Sequence, residues 1–227
     1  MDYNLQNYKG FIFDLDGTLI NSMPFHIRAW QQVGKSYGFT VSEDDINTMT
    51  GSSGLDVAKY LKDKGNNIPD LKEFVSKKIA LYQSNIDKIE VFEDIKDILL
   101  KGRADNKKIA IGTGSRNINA RTVLEKKGLL NLIDVLITAE DVVVHKPDPE
   151  TFLKAAKALN LRPDECIVFE DGNLGVKAAY AGGFDCIEVK ENKIVAFHKA
   201  RSSRRRDCSH SSHNTVRAVR HTAFPKQ

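Results

Sequence analysis

With 227 residues, 41% of them hydrophobic, the chain can fill one sizeable core or a core with a smaller inserted domain. Cys166, Cys186 and Cys208 lack the paired spacing of a zinc site or disulfide framework, and no apolar run approaches the ~20 residues of a membrane span. The net charge of +4 is uneven: from residue 193 onward nine Lys or Arg stand against Asp207 alone, so that segment carries +8, residues 1–192 carry −4, and nothing in the main domain suggests nucleic acid.

The opening "MDYNLQNYKG" has neither a basic nor an apolar leader segment, so a cytoplasmic protein with reduced thiols is expected. Strands are predicted at "GFIFDLD" (10–16), "KKIAIGT" (107–113), "LIDVLIT" (132–138), "ECIVFED" (165–171) and "FDCIEVK" (184–190). Helical patterns such as "NINARTVLEKKG" and "PETFLKAAKALN" separate them. This alternation predicts an α/β fold, a Rossmann-like parallel sheet with helices on both faces. Between the first two strands, residues 19–88 read as a small helical cap, with breaks at "TGSSG" and "GNNIPD". The expected organisation is a core of residues 1–18 and 89–192, a cap of 19–88 and a basic tail of 193–227. The tail's clustered arginines and sparse apolar side chains predict disorder. Its charge would suit RNA or an anionic membrane, but an incidental extension is the preferred reading, because the sheet is expected to be complete at "FDCIEVK".

The polar residues collect at the strand ends, where ligands sit in such sheets. Asp14 and Asp16 are two apart, which on a strand places both on one face. Two converging carboxylates repel unless a cation or a proton lies between them, and Mg²⁺ is a hard ion that takes oxygen ligands. One could attack an electrophile while the other moves a proton. Thr113 stands among small residues that let backbone amides approach an anion. Lys146 precedes "PDPE", where Asp148 and Pro149 read as a helix cap and first turn. Glu170 and Asp171 repeat the pattern of acids after an apolar strand.

"FDLDGTL", "IAIGTGSRN", "VHKPDPETF" and "IVFEDGNLGVKAA" resemble, in order, the four motifs of the haloacid dehalogenase superfamily of aspartate-nucleophile phosphotransferases. The resemblance spans residues 9–190. It implies that Asp14 is the nucleophile, Asp16 the acid and base, Thr113 and the Gly114 amide holders of phosphate, and Lys146 the charge-neutralising lysine. Asp14, Asp16, Glu170 and Asp171 would serve Mg²⁺.

The cap segments "MPFHIRAW", "GSSGLDVAKYL" and "EFVSKKIALY" resemble the beta-phosphoglucomutase branch, which includes small sugar-phosphate phosphatases. In that branch His26 would relay protons to Asp16, and Lys78 would reach a distal phosphate or hydroxyl. Ser115, Arg116 and Asn117 belong to the substrate loop, where Arg116 and Asn117 would grip sugar hydroxyls or phosphate. A mutase cap carries an arginine after its glycine, whereas Ser52, Ser53 and Gly54 stand here, and Thr18 also resembles the phosphatase members. The expectation is a monomeric phosphatase of small sugar phosphates, with a mutase or a non-catalytic binder as alternatives.

Overall fold

A computed structural model describes residues 4–200. The first apolar run forms Gly10–Phe13 (β1), with all four residues buried. Phe11 and Phe13 enter one core and Ile12 the other, so an unbroken apolar run is what a strand covered on both faces requires.

The chain leaves the sheet and returns along adjacent paths. The Asn21 N–H donates to the Glu90 carbonyl at 2.8 Å, and the Phe92 N–H to the Leu19 carbonyl at 3.0 Å. Between these crossings lie Met23–Ser36 (α1), Glu43–Thr48 (α2), Gly54–Asp63 (α3) and Leu71–Gln83 (α4). They bury a separate core around Trp30, Ile46, Val57, Leu61 and Phe74. Polar caps fix their starts: Ser42 and Asp45 bond reciprocally at α2, and Asp70 accepts the Lys72 and Glu73 N–H groups at 2.7 and 3.0 Å.

Thereafter helix and strand alternate: Glu93–Ala104 (α5), Lys108–Gly112 (β2), Asn117–Lys126 (α6), Val135–Ile137 (β3), Glu150–Ala158 (α7), Cys166–Glu170 (β4), Asn173–Ala181 (α8) and Asp185–Lys190 (β5). The strands pair in parallel in the order β3-β2-β1-β4-β5. Leu99 of α5 with Val123 and Leu124 of α6 covers the Phe11 face, while Phe152 of α7 and Ala178 of α8 cover the Ile12 face. Because β1 is central, its exit lies between the ends of β2 and β4.

The sheet does not end at Lys190. Lys193–His198 (β6) pairs antiparallel with β5 through a two-residue turn, Glu191 and Asn192, whose φ angles are 44° and 67°. Positive φ at both turn residues matches the twist of a hairpin. A tail beginning at 193 is therefore corrected: Ile194 and Phe197 pack partly buried against the core, and the basic run behind "KIVAFH" hides that alternation. The expected disorder concerns mainly residues 201–227, outside the described residues. Ending the chain after Asn192 should lower the thermal midpoint by at least about 5 °C, since two partly buried apolar side chains and a strand ladder are lost. Calorimetry of that truncation beside one ending after Ala200 tests this; equal midpoints would show that β6 adds nothing.

Candidate active site

Asp14 follows β1, anchored by its N–H to the Phe169 carbonyl at 2.9 Å. Its carboxylate is buried and accepts from Lys146 Nζ at 2.6 Å. Lys146 also lies 3.4 Å from Glu170 and 4.5 Å from the centre of the Phe152 ring. The turn before α7 holds this lysine, with Asp148 accepting the Glu150 N–H at 2.9 Å. Asp171 completes the group, held by the Thr18 hydroxyl at 2.9 Å. Gly17, with φ 88°, turns the chain tightly enough that a side chain there would collide with Asp171.

Asp14, Glu170 and Asp171 each offer an oxygen within 4.8 Å of the others. Burial, then the charge of Glu170, raises the Asp14 pKa well above its ordinary value. Burial raises Glu170 to about 7, and burial with the Asp14 charge raises Asp171 to about 7. Burial opposes the charge on Lys146, yet Asp14 and Glu170 raise its pKa overall. One ammonium thus faces three carboxylates, and this crowded set of hard oxygen donors fits a divalent cation.

These raised values give the folded state more bound protons than the unfolded chain. In divalent-free buffer the stability they contribute is complete below the ordinary carboxylate range and is lost as pH rises through about 7. Urea midpoints should accordingly fall between pH 5 and 7.5, and Glu170→Gln should flatten that fall. An unchanged slope in the variant would show that these acids are not coupled to folding.

The carboxylate of Asp16, the fourth residue expected to serve the metal, lies outside this trio. Pairing of β1 ends at Phe13, and the two-residue periodicity no longer governs where Asp16 points. It accepts instead from Ser22 Oγ at 2.6 Å, His26 Nε2 at 2.9 Å and the Ser115 hydroxyl, with Tyr82 OH at 3.4 Å. Burial opposes its charge, but His26, Ser115 and Ser22 hold its pKa below the usual carboxylate range.

His26 stacks on Tyr82, with centroids 4.1 Å apart, and its Nδ1 meets Lys78 Nζ. An ammonium can only donate, so Nδ1 accepts and Nε2 carries the proton toward Asp16. Burial, and then the Lys78 charge, lowers the His26 pKa, while burial lowers Lys78 to about 8. Lys78 sits 5.2 Å from the Trp30 and Tyr82 rings and terminates a Lys78–His26–Asp16 chain at the cavity.

A cavity of about 470 Å³ lies between cap and sheet. It gathers Asp14, Asp16, His26, Lys78, Thr113, Gly114, Ser115 and Arg116 of the expected residues; Lys146, Glu170 and Asp171 stand behind Asp14. Thr113 Oγ1 accepts the Ser115 N–H at 3.0 Å, leaving its own proton to donate. Arg116 is taken by Glu140 at 2.8 Å, which also accepts the Asn117 N–H at 2.8 Å. Asn117 is exposed and does not line the cavity, a further departure from the sequence reading. Asn119 does line it, buried and bonded to Gln83 at 3.1 Å, and was hidden in the helical pattern.

A central sheet with acids at adjoining strand ends, a buried lysine between them and a helical cap above defines a hydrolase-type site. The chain belongs to the haloacid dehalogenase-like hydrolase family, whose model matches residues 11–189. It is 31% identical to fructose-1-phosphate phosphatase of Escherichia coli (strain K12), covering 82% of this chain and 98% of that protein. It is 30% identical to a phosphorylated carbohydrates phosphatase of Thermotoga maritima, covering 79% of this chain and 83% of that protein. Among solved structures, beta-phosphoglucomutase from Clostridium difficile superposes with a TM-score of 0.75 at 27% identity, covering 80% of this chain and 84% of that one.

Proposed function

We propose that the protein is a Mg²⁺-dependent phosphatase of small sugar phosphates that acts through an aspartyl-phosphate on Asp14. The observation that carries this reading is Asp14 itself, a buried carboxylate on the cavity wall, paired with Lys146 and backed by Glu170 and Asp171. Asp14, Glu170 and Asp171 would hold Mg²⁺, which supplies positive charge against the repulsion between a carboxylate and a phosphate.

An Asp14 oxygen attacks phosphorus and the bond to the sugar oxygen breaks. Thr113 and the Gly114 amide hold the equatorial oxygens, and Lys146 neutralises charge as it develops. The departing sugar oxygen takes a proton passed from Lys78 through His26 and Asp16, which leaves Asp16 ionised and Lys78 short of the proton that the second step returns along the same chain. In the second step Asp16, whose surroundings favour the ionised form, removes a proton from the water that attacks the aspartyl-phosphate. Phosphate leaves and Asp14 is restored.

The phosphatase relatives support hydrolysis, and the mutase neighbour keeps isomerisation as the second reading. Against a mutase stands the cap loop 51–54, which has no arginine for a second phosphate. NMR of beta-glucose 1-phosphate with Mg²⁺ and glucose 1,6-bisphosphate, set beside phosphate release from hexose and pentose phosphates, distinguishes them. Release should exceed isomerisation; isomerisation outrunning it by about a hundredfold, roughly 2.7 kcal/mol in barrier, would establish the mutase.

A further inference from the structure

We infer that Glu140 is a selectivity residue that cancels the charge of Arg116 on the cavity wall and so turns away sugar esters whose leaving group carries a second phosphate. This rests on the phosphatase reading and narrows its substrates to monophosphates.

Arg116 is the cation that the loop after β2 offers a leaving group, and Glu140 has taken it. The two carboxylate oxygens divide: Oε1 accepts from Arg116 Nε at 2.8 Å, and Oε2 accepts the Asn117 N–H at 2.8 Å. Asn117 opens α6, whose N-cap residue Arg116 makes no capping bond of its own, so one oxygen of Glu140 serves the fold. A neutral acceptor would be enough for that. The other oxygen sets a full negative charge against the guanidinium. The Ala139 N–H donates to the Ser115 carbonyl at 3.0 Å, which ties the two loops together and keeps the pair in register. Burial opposes the charge on Glu140, but Arg116 and the Asn117 N–H hold its pKa below the ordinary value, so it is ionised at neutral pH.

Both side chains line the cavity with Asp14 and Thr113, and both remain partly exposed, so a substrate meets them. A cavity of about 470 Å³ has room for a hexose bisphosphate, and volume alone does not exclude one. Charge does. A second phosphate at this wall meets a neutral pair where a free guanidinium would bind it through two parallel hydrogen bonds. Of the other cations on the wall, Lys78 is engaged with His26, and Lys72 is exposed on α4, where water and salt screen it. Sugar hydroxyls lose little by this arrangement, because an ion pair offers them a donor and an acceptor side by side.

The test measures Mg²⁺-dependent phosphate release from a panel of hexose monophosphates and from the bisphosphates that differ from them by one phosphate. Wild type, Glu140→Gln, Arg116→Ala and the double variant are compared by the ratio of kcat/KM for each bisphosphate to that for its monophosphate. Gln keeps an oxygen for the Asn117 N–H and removes only the charge. The wild-type ratio should lie below about one tenth, Glu140→Gln should raise it about tenfold, and Arg116→Ala should lower it further. The double variant is neutral again and should return to within about threefold of wild type. The gain in Glu140→Gln should shrink as KCl rises from about 0.05 to 0.5 M. A wild type that accepts both esters equally, an unchanged ratio in Glu140→Gln, or a double variant that keeps the whole gain would overturn the assignment. Wild type and Arg116→Ala decide it even where Glu140→Gln does not fold, since an Arg116→Ala ratio equal to wild type also overturns it. Release with the wrong ratios sinks this assignment alone, whereas wild type that releases phosphate from no sugar phosphate sinks the phosphatase reading and the assignment with it.

Discussion

Asp14→Asn is expected to reduce phosphate release by at least about a thousandfold while the fold remains intact, because an amide is a poor nucleophile and a weaker cation ligand. The substitution is nearly isosteric and removes one of three crowded carboxylates, leaving Lys146 paired with Glu170 at 3.4 Å. Circular dichroism and thermal midpoint should therefore stay close to wild type as activity disappears. A folded variant with more than about a tenth of the wild-type rate would rule out covalent catalysis at Asp14.

Lys146→Met should damage both stability and catalysis. The methionine can keep the packing against Phe152, but it leaves Asp14, Glu170 and Asp171 with no cation in their midst. Breaking a buried ion pair from one side costs about 3–5 kcal/mol, and loss of a charge-stabilising group costs about 10²–10³ in rate. The sign of the pH effect follows from the raised carboxylate pKa values. Protons can replace the lysine below about pH 7, so the urea midpoint should fall more at pH 7.5 than at pH 5. Added Mg²⁺ should restore part of the stability. Wild-type stability at pH 7.5 with a chelator present would contradict the electrostatic picture of the trio.

Much of the core was legible because burial on both faces leaves a strong mark. The runs around Phe11, Ile111 and Phe169 could hardly be anything but central strands, and the acids that follow them fall at the sheet's carboxyl edge. Asp14, Lys146, Glu170 and Asp171 meet there as their order along the chain implies. What sequence did not give is how neighbouring residues divide. Asp14 and Asp16 look like one pair, yet Asp16 is claimed by Ser22, His26, Ser115 and Tyr82, which come from separate segments. Arg116 looks free until Glu140, distant by 24 residues, binds it. The last strand was lost for another reason: its short alternation runs directly into a basic segment whose composition dominates the reading.

The most direct measurement is colorimetric phosphate release by the purified full chain from a panel of hexose, pentose and polyol phosphates, each assayed with Mg²⁺ and with a chelator. Release from at least one sugar phosphate is expected with Mg²⁺, lost on chelation and regained when Mg²⁺ is returned. Folded protein that releases no phosphate from any member of the panel with Mg²⁺ present, or that releases it equally well in the chelator, would contradict a Mg²⁺-dependent sugar phosphatase.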